Sequence, residues 1–147
     1  GAGYILPCLM SHKPVDLLVL MLGTNDCKQW YGADAGRICA GMEYLVCRAQ
    51  NTSCWTEKGP NILVVAPPPI AEGYEDTESY PEFGPQAREK SLALAGLYEQ
   101  SAKRLGCAFL DAAPYAQLNT VDCVHMTRAD CRSFAAKLAE IIPSLCG

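Results

Sequence analysis

Three short apolar runs punctuate the chain, each followed by turn-forming residues and then by apolar positions that recur every three or four residues. Leu17-Leu-Val-Leu-Met-Leu22 is apolar at every position and ends at Gly23-Thr24-Asn25-Asp26. Ile62-Leu-Val-Val-Ala66 is a second such run, stopped by Pro67-Pro68-Pro69, which have no N–H to give to a ladder. Ala108-Phe-Leu-Asp111 is a shorter third. Runs of this length without polar alternation predict strands buried on both faces.

The intervening stretches read as helices. Between the first two runs, from Asp34 to Arg48, Ile38, Cys39, Met42, Leu45 and Val46 follow a 3.6-residue period. A longer helix is predicted from Pro85, suited to a first turn, to Leu105, with Leu94, Leu97, Tyr98 and Leu105 as its stripe and Gly106 as its left-handed stop. The last helix begins at Thr127, where Thr127 and Asp130 have capping-box spacing. Its expected core face is Cys131, Phe134, Leu138 and Ile141 or Ile142, and Pro143 is expected to close it. The polar stretch from Ala71 to Pro85 reads as a surface loop, with its Glu and Asp residues solvated. Fully apolar strands alternating with helices imply a parallel sheet covered on both faces, hence an α/β fold built as a three-layer α/β/α sandwich. The 147 residues fit one domain.

Composition narrows the function classes. The net charge is −4 and the twelve basic residues are scattered, which argues against nucleic acid as a partner. No apolar stretch is long enough to cross a bilayer, and the amino end, Gly-Ala-Gly-Tyr, lacks the pattern of a signal peptide. The nine cysteines are odd in number and contain no Cys-x-x-Cys pair. Cys39 and Cys131 fall on predicted apolar helix faces, so the expectation is reduced thiols and a cytoplasmic location, with a disulfide or two in a secreted protein as the alternative.

In an open α/β sheet, functional groups collect at the carboxyl ends of the strands. The first strand delivers Asn25 there, whose carboxamide can donate to an oxyanion. The loop after the third strand holds Asp122-Cys123-Val124-His125, in which His125 can act as a base and Asp122, three residues earlier, can orient it. His12 lies at the opposite end of its strand and reads as structural or exposed. Cys27 and Cys123 adjoin site residues, but two thiols and one histidine without ligand spacing make a poor metal site, and the two thiols read as small hydrophobes. Trp30, Tyr31 and Trp55 read as packing rather than as a pocket rim.

These blocks resemble a known family. Gly23-Thr24-Asn25-Asp26 after an apolar strand is similar to the G-x-N-D block of the SGNH, or GDSL, hydrolases, and Asp122-x-x-His125 to their carboxyl-terminal D-x-x-H block. "LPCLMSHKPVDLLVLMLGTND" and "ILVVAPPPI" resemble the arylesterase-like branch. The resemblance covers essentially the whole chain. It implies a flavodoxin-like fold and hydrolysis of a small acyl ester through an acyl-enzyme, with no metal or organic cofactor. It makes Asn25 an oxyanion donor, His125 the general base and Asp122 its orienter. Asp26 would hold the Asn25 loop, and Pro67 to Ile70 together with the loop after it would line the acyl or alcohol pocket.

One departure matters more than the match. The family's nucleophile lies in an amino-terminal Gly-Asp-Ser block, and this chain contains no Gly-Asp-Ser. The expectation is that about 50 to 70 residues, two strand–helix units of about 30 each, are absent ahead of it, including strands that would pair with Leu17–Leu22. The serine would then come from an amino-terminal fragment held non-covalently, or be lost by truncation. A second copy pairing across the open strand, or Ser11 or Cys27 as a substitute nucleophile, are further options. Two rival readings stand beside the esterase: a catalytically dead remnant that still binds small molecules, and a flavodoxin-like nucleotide binder, which has no glycine-rich phosphate loop to support it.

Overall fold

The computed structural model describes all residues, Gly1 to Gly147. A short helix α1 (Ile5–Ser11) precedes strand β1 (Leu18–Met21), and helix α2 (Ala35–Gln50) leads to β2 (Ile62–Ala66). A four-residue helix α3 (Tyr80–Phe83) and the long α4 (Ala87–Leu105) then lead to β3 (Ala108–Asp111), and α5 (Arg128–Cys146) ends the chain. The strands form one parallel sheet in the order β1-β2-β3, with Leu18 opposite Ile62 and Leu63 opposite Ala108.

The alternation hidden in the fully apolar β2 sorts its side chains between two layers. Ile62, Val64 and Ala66 join a large core with Leu20, the α2 residues Ile38, Met42 and Val46, and the α4 residues Leu94 and Tyr98. Leu63 and Val65 face the other way, where with Leu110 they meet Phe134, Leu138 and Ile141 of α5. All five β2 residues are buried, and each large side chain so covered contributes about 1.5–3 kcal/mol. This is the expected three-layer arrangement.

The predicted Thr127 cap and Gly106 stop have their physical counterparts, and α2 has a cap that was not predicted. Asp34 caps α2 by accepting from the Arg37 N–H at 2.7 Å, Thr127 caps α5 by accepting from Asp130 N–H, and Gly106 ends α4 in the left-handed region. The departures are local. The predicted stretch from Pro85 begins its helix at Ala87, after the separate turn of α3. Pro143 does not close α5, which continues to Cys146; a proline in the last turn removes one N–H, and Gly147 N–H still reaches the Pro143 carbonyl at 3.0 Å. Cys131 is exposed rather than on the core face, because α5 turns Phe134 and Leu138 to the sheet instead. Between Ala71 and Pro85, Tyr74 and Phe83 are buried, and Glu72 and Glu82 are ion-paired with Arg88 and Lys28 rather than simply solvated.

Candidate active site

At the carboxyl end of β1 the chain must reverse sharply. Gly23 does this at φ +128°, and a Cβ there would lie 2.6 Å from the Tyr98 hydroxyl and 2.9 Å from Leu94. Tyr98 occupies that space because its hydroxyl donates to the Leu22 carbonyl at 3.1 Å. The following residues wind into a 3-10 turn over Asn25–Cys27, with Asp26 N–H donating to Gly23 O and Lys28 N–H to Asn25 O. This leaves Asn25 exposed, its carboxamide without a hydrogen-bond partner in the chain. Asp26 was expected to hold this loop, but its carboxylate makes no hydrogen bond and only its backbone N–H serves the turn. The side chain that packs the turn is Cys27, completely buried, whose thiol points at Gly23 O at 3.5 Å.

The opposing wall is the segment between β3 and α5, pinched by an antiparallel bridge between Leu118 and Met126. Here the Asp122 carboxylate is surrounded by donors. Its Oδ1 accepts from the backbone N–H of Val124 and of His125 and from the Asn119 amide, each at 2.9 Å. Its Oδ2 lies 3.1 Å from His125 Nδ1. Desolvation pushes the carboxyl up, but the hydrogen bonds from Val124, His125 and Asn119 outweigh it and hold the group down at about 2. The imidazole itself is 78% exposed, with its far nitrogen directed outward from this pair. Between them Cys123 is held at φ +61°, a left-handed conformation uncommon outside glycine. Its carbonyl accepts from Ala71 N–H at 3.0 Å and its buried thiol reaches Glu72 O, which ties the loop to the segment after β2.

Asn25, Asp122 and His125 line one cleft of about 470 Å³. Thr24, Pro67, Pro68 and Met21 also line it, and Leu118, Val124 and Met126 add apolar side chains. Of the expected pocket residues after β2, Pro69 lies outside this cleft and Ile70 is buried in the core. The remaining wall carries Glu78, Ser79, Glu82 and Phe83, from the loop expected to line the pocket, and Lys28, which the sequence pattern did not single out. Lys28 bridges to Glu82 and lies 5.1 Å from the Trp30 ring centroid and 5.4 Å from that of Phe83. That wall is assembled from segments far apart in the chain, so only its proximity to the G-x-N-D block could have flagged Lys28.

Neither substitute nucleophile is placed for the task. Ser11 lies in α1, bonded to Cys8 O and adjacent to the exposed His12, and does not line the cleft. Burial pushes the Cys27 thiol up to about 11, which leaves almost no thiolate near neutrality. Trp55 packs inward, donating to Ala49 O. Cys27, Cys123 and His125 do not converge, and no group of three His, Cys, Asp or Glu side chains is arranged to hold a metal. No helix is long and apolar enough to cross a membrane.

No protein-family model and no curated protein matches this chain. Among solved structures, a carbohydrate acetylesterase family member from Sinorhizobium meliloti is 33% identical, with a TM-score of 0.90 over 100% of this chain and 69% of its own. An aryl esterase from M. smegmatis is 32% identical, with a TM-score of 0.88 over 98% of this chain and 67% of its own. The chain belongs to the SGNH hydrolase family. A second S. meliloti carbohydrate acetylesterase, 29% identical, superposes at 0.88 and is covered to 68%. This SGNH chain is therefore of esterase-type hydrolase kind, and about a third of each neighbour's length has no counterpart in it.

Proposed function

We propose that this chain supplies the base and part of the oxyanion site of a serine esterase acting on small acyl esters. In this reading His125 removes the hydroxyl proton of a serine as it attacks the ester carbonyl and returns it to the leaving alcohol. Water then attacks the acyl-enzyme by the same route. Asp122 keeps the Nδ1 proton in place, so that Nε2 is free to accept, and Asn25 donates to the developing oxyanion. The observation that carries the reading is the 3.1 Å contact between Asp122 and His125 facing the same cleft as the unpartnered Asn25 carboxamide. A cleft of about 470 Å³ suits a small ester.

The serine is assigned to a segment outside these 147 residues that carries a Gly-Asp-Ser block. The outer edge of β1 is unpaired, and Val19 and Leu22 beside it are exposed. A second cleft of about 450 Å³ lies there, lined by Leu22, Met42, Leu45 and Tyr98, and Asn25 and Asp26 border it. A strand added at that edge would end beside Asn25, where a nucleophile is needed. Nine free thiols, four of them buried, suit a reducing compartment, and a cytoplasmic location is part of the proposal.

The test is mass spectrometry of native and denatured protein, followed by p-nitrophenyl acetate turnover with the serine-bearing segment present. His125→Ala is expected to lower kcat by about a million-fold while leaving the circular dichroism unchanged. Turnover that survives this substitution overturns the assignment of the base.

A further inference from the structure

We propose that Asn119 is a positioning residue, which selects the carboxylate oxygen that Asp122 turns to His125 and thereby the tautomer of the imidazole. The inference rests on the roles proposed for Asp122 and His125. It arises from the density of bonds at one half-buried side chain. Asn119 Oδ1 accepts from the backbone N–H of Val121 at 2.7 Å and of Asp122 at 2.9 Å. Its Nδ2 donates to Asp122 Oδ1 at 2.9 Å and to the His125 carbonyl at 2.8 Å, and its own backbone N–H donates to that same carbonyl at 2.8 Å.

The network admits only one orientation of the amide. Turned over, the NH₂ group would face two N–H donors and the oxygen would face a carboxylate, so every side-chain bond would become repulsive. In the observed orientation Asp122 Oδ1 already accepts three N–H groups, from Asn119, Val124 and His125. Three donors converge on Oδ1, which leaves Oδ2 to receive Nδ1–H, and the Asn119 amide is the one of the three that also holds the His125 carbonyl. Asn119 thus grips both members of the pair, the orienter by an oxygen and the base by its backbone carbonyl. It does so across a loop that contains the left-handed Cys123.

A purely structural role would be narrower. An Asx turn needs only the side-chain oxygen that accepts the two backbone N–H groups, and aspartate supplies that equally well. Only the amide can make the two Nδ2 bonds. Asn119→Asp therefore separates the two roles, since it keeps the acceptor and removes the donor beside Asp122. Should the aspartate variant not fold, Asn119→Ser removes the two Nδ2 bonds without adding a charge, its shorter hydroxyl being able to replace at most one of them.

The measurement is the ¹⁵N spectrum of the neutral His125 imidazole, in a His12→Gln background so that a single ring is observed. The unsubstituted Asn119 chain is expected to hold mainly the Nδ1–H form. In Asn119→Asp and Asn119→Ser that form should fall severalfold towards the Nε2–H form that free imidazole prefers, while circular dichroism stays native. A native tautomer ratio in either folded variant overturns the proposal. The spectrum needs no substrate, so the two readings fail separately. An altered tautomer together with turnover that ignores His125→Ala supports Asn119 and sinks the esterase assignment alone.

Discussion

The two walls of the cleft are built on opposite plans. On the Asp122–His125 side nearly every polar atom is engaged: Asn119 spans the loop, Thr127 and Asp130 cap α5 beneath it, and Asp130 also accepts from Gln117 N–H at 3.0 Å. On the Asn25 side the shape comes mainly from backbone, through the reversal at Gly23 and one 3-10 turn packed by Tyr98 and Cys27, and the Asn25 carboxamide is bonded to nothing. The first wall holds its geometry by side-chain hydrogen bonds that the chain carries itself. The second presents a donor and leaves its surroundings to whatever lies against β1. On the proposed roles, the acid–base pair is thus self-contained, whereas the oxyanion site is open to completion.

Breaking the bonded wall should have the largest effect. With the serine segment present, Asp122→Asn is expected to lower kcat by about ten-thousand-fold, because a carboxamide no longer enforces the Nδ1–H tautomer; steady-state kinetics would show it. On the open wall, Asn25→Ala should cost about 100- to 1,000-fold in kcat, the worth of one oxyanion donor. The same variant should shift stability by less than about 0.5 kcal/mol in denaturant melts, since the side chain is exposed and unbonded. Thermal melts should show that the backbone, not Asn25, shapes this wall. Gly23→Ala meets the Tyr98 hydroxyl and Leu94 at a positive φ and should destabilise by about 1–3 kcal/mol.

The smallest effect is on the pH dependence of stability. Asp122 is held at about 2, below its ordinary carboxyl value of 3.8. A depressed value in the folded state means that the group favours folding above about pH 4, and that this contribution disappears as the pH falls towards 2. The difference in thermal midpoint between the parent protein and Asp122→Ala should therefore close over that interval. A difference that persists unchanged at pH 2 would detach Asp122 from the hydrogen bonds described for it.

Much of this was legible in the residues. β2 and β3 run over the predicted spans because an unbroken apolar run bounded by proline or by a left-handed glycine has few alternatives. Asn25, Asp122 and His125 meet at one cleft because consecutive parallel strands present their carboxyl ends on the same edge. What escaped was short or non-local. α1 and α3 are too brief for a period to emerge, and α5 runs through Pro143 because its last turn tolerates the missing N–H. Lys28 belongs to the cleft only by tertiary placement, and Asn119 reads in sequence as one more polar loop residue.

The central position of β2 also sets an order of events in time. Its partners lie far along the chain on either side, Leu18 before Ile62 and Ala108 after Leu63, so neither pairing can form until a long loop has closed. Such non-local parallel pairing makes for slow folding. Once formed, the β2 amides are bonded on both edges and screened on both faces. They should be the last to exchange with deuterium, reporting global opening, while the outer rim of β1 exchanges through small local fluctuations.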